Sequence, residues 1–168
     1  SPICALDVYD EFKKNVKMII DGGSARIGIE STVIDLTGKS QILRPGIISE
    51  KKISTILKKK ILILKSIKKI KSPGQIKKHY SPGIPMVLNY NKKVKNAAHI
   101  VFGNKFKNYN NAFQLSKKAN LEEAAKNLYK IFRKIKKLNY KKIYVSTIPN
   151  KGIGVALNDR LKHASYLK

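Results

Sequence analysis

The chain has 168 residues, 42% of them apolar, and a formal charge of +26. The length fits one ordinary domain or two small ones, and the apolar share excludes global disorder. A single cysteine, Cys4, excludes an internal disulfide and a Cys-rich metal site, and no uncharged apolar run approaches the ~18 residues a membrane-spanning helix needs.

Residues 5–16 read as a helix, with Leu6, Tyr9, Phe12 and Val16 recurring at three- to four-residue spacing. Residues 17–20 read as a short strand stopped by Asp21-Gly22-Gly23. Thr32, Val33 and Ile34 favour extended backbone over 30–36, and 41–44 return as a second strand after the turn at 37–40. Pro45-Gly46 ends that hairpin. Ser49 is an N-cap candidate for a helix reaching about Lys60, with Ile53, Ile56 and Leu57 as its apolar stripe. The composition then shifts. Residues 58–71 are dominated by Lys and Ile, and 72–85 carry Pro73, Gly74, Pro82, Gly83 and Pro85. This stretch, 58–85, reads as a linker between a first unit, 1–57, and a second, 86–168. In the second unit, strands are expected at 86–88, 98–102, 112–115 and 142–146. An amphipathic helix is expected at 121–138, with Ala124, Ala125, Leu128, Ile131, Phe132 and Ile135 on one face, and a final helix at 155–166. Alternating strands and helices imply a small α/β layer.

Only four of the 36 basic residues are arginine (Arg26, Arg44, Arg133, Arg160). Nucleic-acid readers favour the planar fork of Arg, so a compositional bias toward Lys, Ile and Asn is the simpler account of the charge. No acidic residue lies between Glu50 and Glu122, and a polyanion would be drawn there with strong salt dependence.

Four pieces could carry chemistry. Asp21-Gly22-Gly23-Ser24 and Gly28-Ile29-Glu30-Ser31-Thr32-Val33 set glycines beside hydroxyls, which suits an oxyanion, although a glycine-rich loop before an edge strand is the plainer reading. In Leu43-Arg44-Pro45-Gly46 the arginine ends a strand, where a phosphate or carboxylate could sit; a surface arginine is the alternative. His79-Tyr80 within a Pro-bounded segment could close over a site or could simply be a rigid spacer. Gly152-Ile153-Gly154 before a helix is a weak phosphate signal, and Asp159 and Arg160 after it read as capping and pairing within the second unit. His99 and His163 have no companions at metal-ligand spacing and read as structural or exposed.

In order and spacing, these pieces, with Ser1-Pro2, Ser72-Pro73-Gly74 and Tyr80-Ser81-Pro82, resemble the threonylcarbamoyl-AMP synthases of the YrdC/YciO-like family in their longer two-domain form. The resemblance implies an α/β fold: the C-terminal part of a YrdC-like twisted mixed sheet with helices over 1–57, the linker, and a small Rossmann-like accessory domain over 86–168. It implies a nucleotidyltransferase joining L-threonine, bicarbonate and ATP into threonylcarbamoyl-AMP and pyrophosphate for tRNA modification. ATP enters as a substrate with Mg2+, and no prosthetic group is expected. By motif match, Ser1, Arg44, His79 and Tyr80 would contact ATP, and Ser31 and Thr32 would contact L-threonine. No catalytic or metal-ligating residue is assigned. The family's Lys-x-Arg and Ser-x-Asn nucleotide motifs lie upstream of a segment like Ser1-Pro2 and are absent here. Ile3 replaces the family's Thr, and Lys78 occupies a position that is often Arg. The resemblance therefore implies a chain inactive alone, either the remnant of a split gene or a piece that works with a separately encoded N-terminal half. The cytoplasm is the expected compartment, since 1–4 show no basic region with an apolar run, and no membrane partner is expected. A non-catalytic module binding tRNA or double-stranded RNA through its lysines is the alternative.

Overall fold

The computed structural model describes residues 1–64, 70–73, 81–106 and 108–166. His79 and Tyr80, and the parts of the expected linker at 65–69 and 74–80, lie outside these residues.

The chain forms two sheets. The first is small and mixed, in the order β1-β2-β3, where β1 is Val33–Asp35, β2 is Gln41–Arg44 and β3 is Leu62–Ile63. β1 and β2 pair antiparallel, with an irregularity between Val33 and Ile34, and β3 joins β2 in parallel. Helix α1 (Ala5–Phe12), continued by a 3-10 turn over Lys13–Asn15, precedes this sheet. Helix α2 (Glu50–Ile56) connects β2 to β3, and the Ser49 hydroxyl caps it by accepting the Lys52 N–H. The core of this region is the buried trio Ile42, Ile53 and Ile61.

The second sheet is parallel throughout. Its order is β4-β7-β5-β6, with β4 at Met86–Val87, β5 at Ala98–Phe102, β6 at Ala112–Ser116 and β7 at Ile143–Val145. Helix α3 (Leu121–Lys137) links β6 to β7, and α4 (Ile153–Ser165) follows β7. The Asn120 side chain caps α3 by accepting the Glu123 N–H. Glu122 and Glu123 in the first turn and Lys134, Lys136 and Lys137 in the last complement the helix dipole. The face read from the sequence is buried as expected, with Tyr129 added to it. Parallel strands are covered on both faces and favour continuous apolar runs, and β5 is buried along its whole length. The resulting core joins one sheet face, carrying Ala98, Ile100, Phe102, Leu115, Ile143 and Val145, to α3 and α4, and Ile3 and Ile29 of the first region pack against it. The architecture is α/β, as the motifs implied.

Three local expectations change. Residues 17–20 form no strand: Met18 and Ile20 are 76% and 86% exposed, with no neighbouring strand to pair. The stripe of α1 is genuinely amphipathic, yet Leu6 and Tyr9 are exposed, because no core faces them. Within the Lys/Ile stretch, Ile61 is fully buried and Leu62–Ile63 extends the first sheet. Lysines on both sides concealed that short apolar anchor.

Candidate functional site

The hairpin β1–β2 brings Ser31 and Arg44 together. Antiparallel register sets Val33 opposite Arg44, so the residues just before β1 flank the end of β2. The Arg44 guanidinium donates from Nε to the Ser31 carbonyl at 3.2 Å and from Nη2 to Ser31 Oγ at 3.3 Å. Its Nη1 reaches the Pro73 carbonyl at 3.5 Å, so the segment after β3 returns over the hairpin. Among the described residues no carboxylate forms an ion pair with Arg44. Its partners are neutral oxygens, which leaves the positive charge uncompensated and suited to an anion. The neighbouring Thr32 hydroxyl donates to the Ile48 carbonyl at 2.8 Å, fixing the loop after β2.

Gly46 makes this closeness possible. A Cβ there would lie 2.2 Å from the Thr32 nitrogen and 2.4 Å from the Ser31 carbonyl carbon. The Arg44-Pro45-Gly46 turn thus rests on the Glu30–Thr32 backbone, and any side chain at 46 would force it away.

Glu30, immediately before Ser31, turns toward the second region. Its carboxylate accepts from the Tyr129 hydroxyl at 3.1 Å to each oxygen and from Arg160 Nε at 2.8 Å, and the Ser1 hydroxyl completes the set. Burial pushes the Glu30 carboxyl upward, but the hydrogen bonds from Ser1 and Arg160 and the Arg160 charge outweigh it and hold the group below its ordinary value. Arg160 is fully buried and pairs through Nη1 with Asp159 at 2.6 Å. The pairing expected within the second unit is present, and Arg160 additionally crosses to the first. Farther along the interface, Arg133 pairs with Asp7 at 3.1 Å and donates to the Ser1 carbonyl. An open cleft of about 870 Å³ lies between α1 and α3, bordered by Ser1, Asp7, Tyr129, Arg133 and Ser81.

At the edge of the first sheet, Asp35 accepts from the Thr37 hydroxyl at 2.7 Å and from Lys71 Nζ at 2.9 Å. The Thr37 hydroxyl, then Lys71, hold its carboxyl far below the usual range. Of the other residues read from the sequence, His99 is fully buried, stacked on Tyr144 and accepting the Val94 N–H. His163 contacts the Asp159 carbonyl. Gly154 packs against the Pro149 carbonyl, where a Cβ would approach to 2.0 Å; its role there is close helix packing. Among the described residues no group of three or more His, Cys, Asp or Glu side chains gathers as a metal site, and no helix is long and apolar enough to cross a membrane.

Tyr129 and Arg160 carried no functional expectation. Both sit in apolar helical stripes, Arg160 between Leu157, Leu161 and Ala164, and a polar head on such a face signals a buried partner elsewhere.

The family described as "Threonylcarbamoyl-AMP synthase, C-terminal domain" matches residues 48–165. The chain belongs to that family. A second family, described as "Telomere recombination", matches residues 1–46, the part carrying Ser31 and Arg44. The threonylcarbamoyl-AMP synthase of Pyrococcus abyssi is 32% identical over 185 aligned residues, covering 98% of this chain and 54% of the relative. That of Bacillus subtilis is 26% identical, covering 98% and 53%. A crystal structure described as P. abyssi Sua5 complexed with L-threonine superimposes with a TM-score of 0.84 at 29% identity, over 98% of this chain and 54% of that one. The chain thus spans about half the length of the threonylcarbamoyl-AMP synthases it matches.

Proposed function

We propose that this chain forms the Ser31–Arg44 part of a threonylcarbamoyl-AMP synthase. In this reading L-threonine, bicarbonate and ATP become threonylcarbamoyl-AMP, pyrophosphate and water, and the threonylcarbamoyl group then passes to tRNA. The observation that carries the reading is the Arg44 guanidinium held against Ser31 with no carboxylate paired to it among the described residues. Its likeness to a structure described with L-threonine bound supports the choice of amino acid. Chemically, an anionic threonylcarbamate must attack the α-phosphate of a second anion. A fixed guanidinium beside a hydroxyl offsets that repulsion and needs no reorganisation during the reaction. Ser31 and Thr32 receive L-threonine, and Arg44 and Ser1 face the nucleotide, with His79 and Tyr80 completing its contacts. ATP arrives as its Mg2+ complex.

Turnover requires, beside these residues, the part of its relatives' length that they do not span. Alone the chain binds L-threonine and does not turn over. The test is calorimetric titration with L-threonine, together with pyrophosphate release from ATP, L-threonine and bicarbonate. Binding without turnover, and turnover on adding the unaligned half of the P. abyssi relative, is the expected pattern. Robust turnover by these residues alone would overturn the requirement for the unaligned part, and absence of L-threonine binding would overturn the reading itself.

A further inference from the structure

We infer that Glu30, Tyr129 and Arg160 form a positioning unit through which the second region sets the geometry of the Ser31–Arg44 pair. The inference rests on the threonine-binding reading above and adds residues to which that reading gives no part.

Three observations converge on the residues just before Ser31. Gly28 has φ +80°, and a Cβ there would lie 2.5 Å from Lys126 Cα and 2.9 Å from the Ala125 carbonyl oxygen, so its backbone lies directly on α3. Ile29 packs into the large core of the second region. Glu30 is then gripped by Tyr129 from α3 and Arg160 from α4, both almost fully buried. Residues 28–30 are therefore fixed by the second region, and Ser31 is the first residue whose side chain faces Arg44.

Arg44 in turn takes its position from Ser31. Among the described residues two of its three hydrogen bonds go to Ser31, and the turn that follows it rests on the Glu30–Thr32 backbone through Gly46. A displacement of Glu30 is thus carried one residue along the chain into both members of the pair. The Arg160 guanidinium is well suited to hold Glu30 in place. With Nε on Glu30 and Nη1 on Asp159, its planar fork fixes Glu30 in direction as well as distance. Tyr129 adds a second, independent direction from another helix. None of the three need touch a substrate.

The competing account is a plain staple that holds two regions together without affecting the site. The two are separated by calorimetric titration of the full chain with L-threonine, alongside thermal melting, for Glu30→Gln, Tyr129→Phe and Asn120→Ala. Glu30→Gln keeps the shape and removes the charge, and is expected to raise the L-threonine Kd about tenfold, the equivalent of ~1.4 kcal/mol. Tyr129→Phe removes one hydroxyl from an otherwise intact core and should raise it severalfold, which keeps the test open should Glu30→Gln fold poorly. Asn120→Ala removes a cap away from the junction and should lower the melting temperature with the affinity unchanged. Unaltered affinity in Glu30→Gln and Tyr129→Phe, whatever their melting temperatures, would overturn the positioning role and leave the threonine-binding reading standing. Absence of L-threonine binding by the unsubstituted chain would overturn both.

Discussion

The two regions solve the burial problem with unequal means. The second region closes a four-stranded parallel sheet beneath two helices and gathers one continuous core. The first has three short strands and a core of three isoleucines. Twelve of the fifteen exposed large apolar side chains among the described residues lie before residue 65. Its outer strands β1 and β3 each pair on one side only among the described residues. Exposed apolar surface and open strand edges mark a region built to be covered, which agrees with a proposed role completed by further polypeptide. The first region is held by specificity more than by bulk. Glycine contacts and directed polar bonds to the second region replace the core it lacks.

That contrast can be broken most severely at Arg160. Arg160→Met leaves Glu30 and Asp159 without their buried partner and should cost about 3–5 kcal/mol in urea unfolding. A change under ~1 kcal/mol would show the first region docked by other means. Gly28→Ala comes next. It places a methyl against the α3 backbone at a positive φ, with an expected loss of about 1–3 kcal/mol. Amide exchange should rise over residues 28–35 while β5 stays protected, and uniform change in both regions would contradict the division.

Acidification gives a graded version. Glu30 and Asp35 are both held below their ordinary values in the folded state. Such groups contribute stability that is present above the unfolded carboxylate pKa near ~4 and lost as pH falls through the folded value. Both lie in the first region, so its amides should lose protection before those of β5 as pH is lowered from about 5 toward about 2 in exchange experiments. Simultaneous loss would count against the contrast. The smallest effect belongs to the exposed Lys137–Asp10 pair at 3.6 Å. Lys137→Ala should change stability by no more than about 0.5 kcal/mol. A larger loss would mean that surface charge contributes more to the docking of α1 than its exposure implies.

Local periodicity made much of the second region readable. The stripe of α3 and the span of β5 follow the expected residues, because a core lies where the pattern points. The same logic predicted α1 correctly as a helix but could not show that its apolar face would be left outside. A stripe records amphipathicity and carries no information on whether anything covers it. The Ser31–Arg44 pairing was within reach of the hairpin reading, since both residues flank two adjacent strands. The Glu30–Arg160 contact was not, since 130 residues separate its ends. The sequence shows only an arginine in an apolar stripe and a glutamate in a loop, and nothing local joins them.

That separation has a consequence for the growing chain. At about 5–20 residues per second, synthesis places on the order of ten seconds between the appearance of Glu30 and that of Arg160. β4 faces a similar delay, because its partner β7 is made only after β5, β6 and α3. During this interval the first region exists with its apolar side chains and strand edges on view and with no latch to hold it. The helix that secures Glu30 is thus made well after Glu30 itself. A chain stopped within α4 before Arg160 would keep every strand of both sheets and still leave Glu30 without its guanidinium.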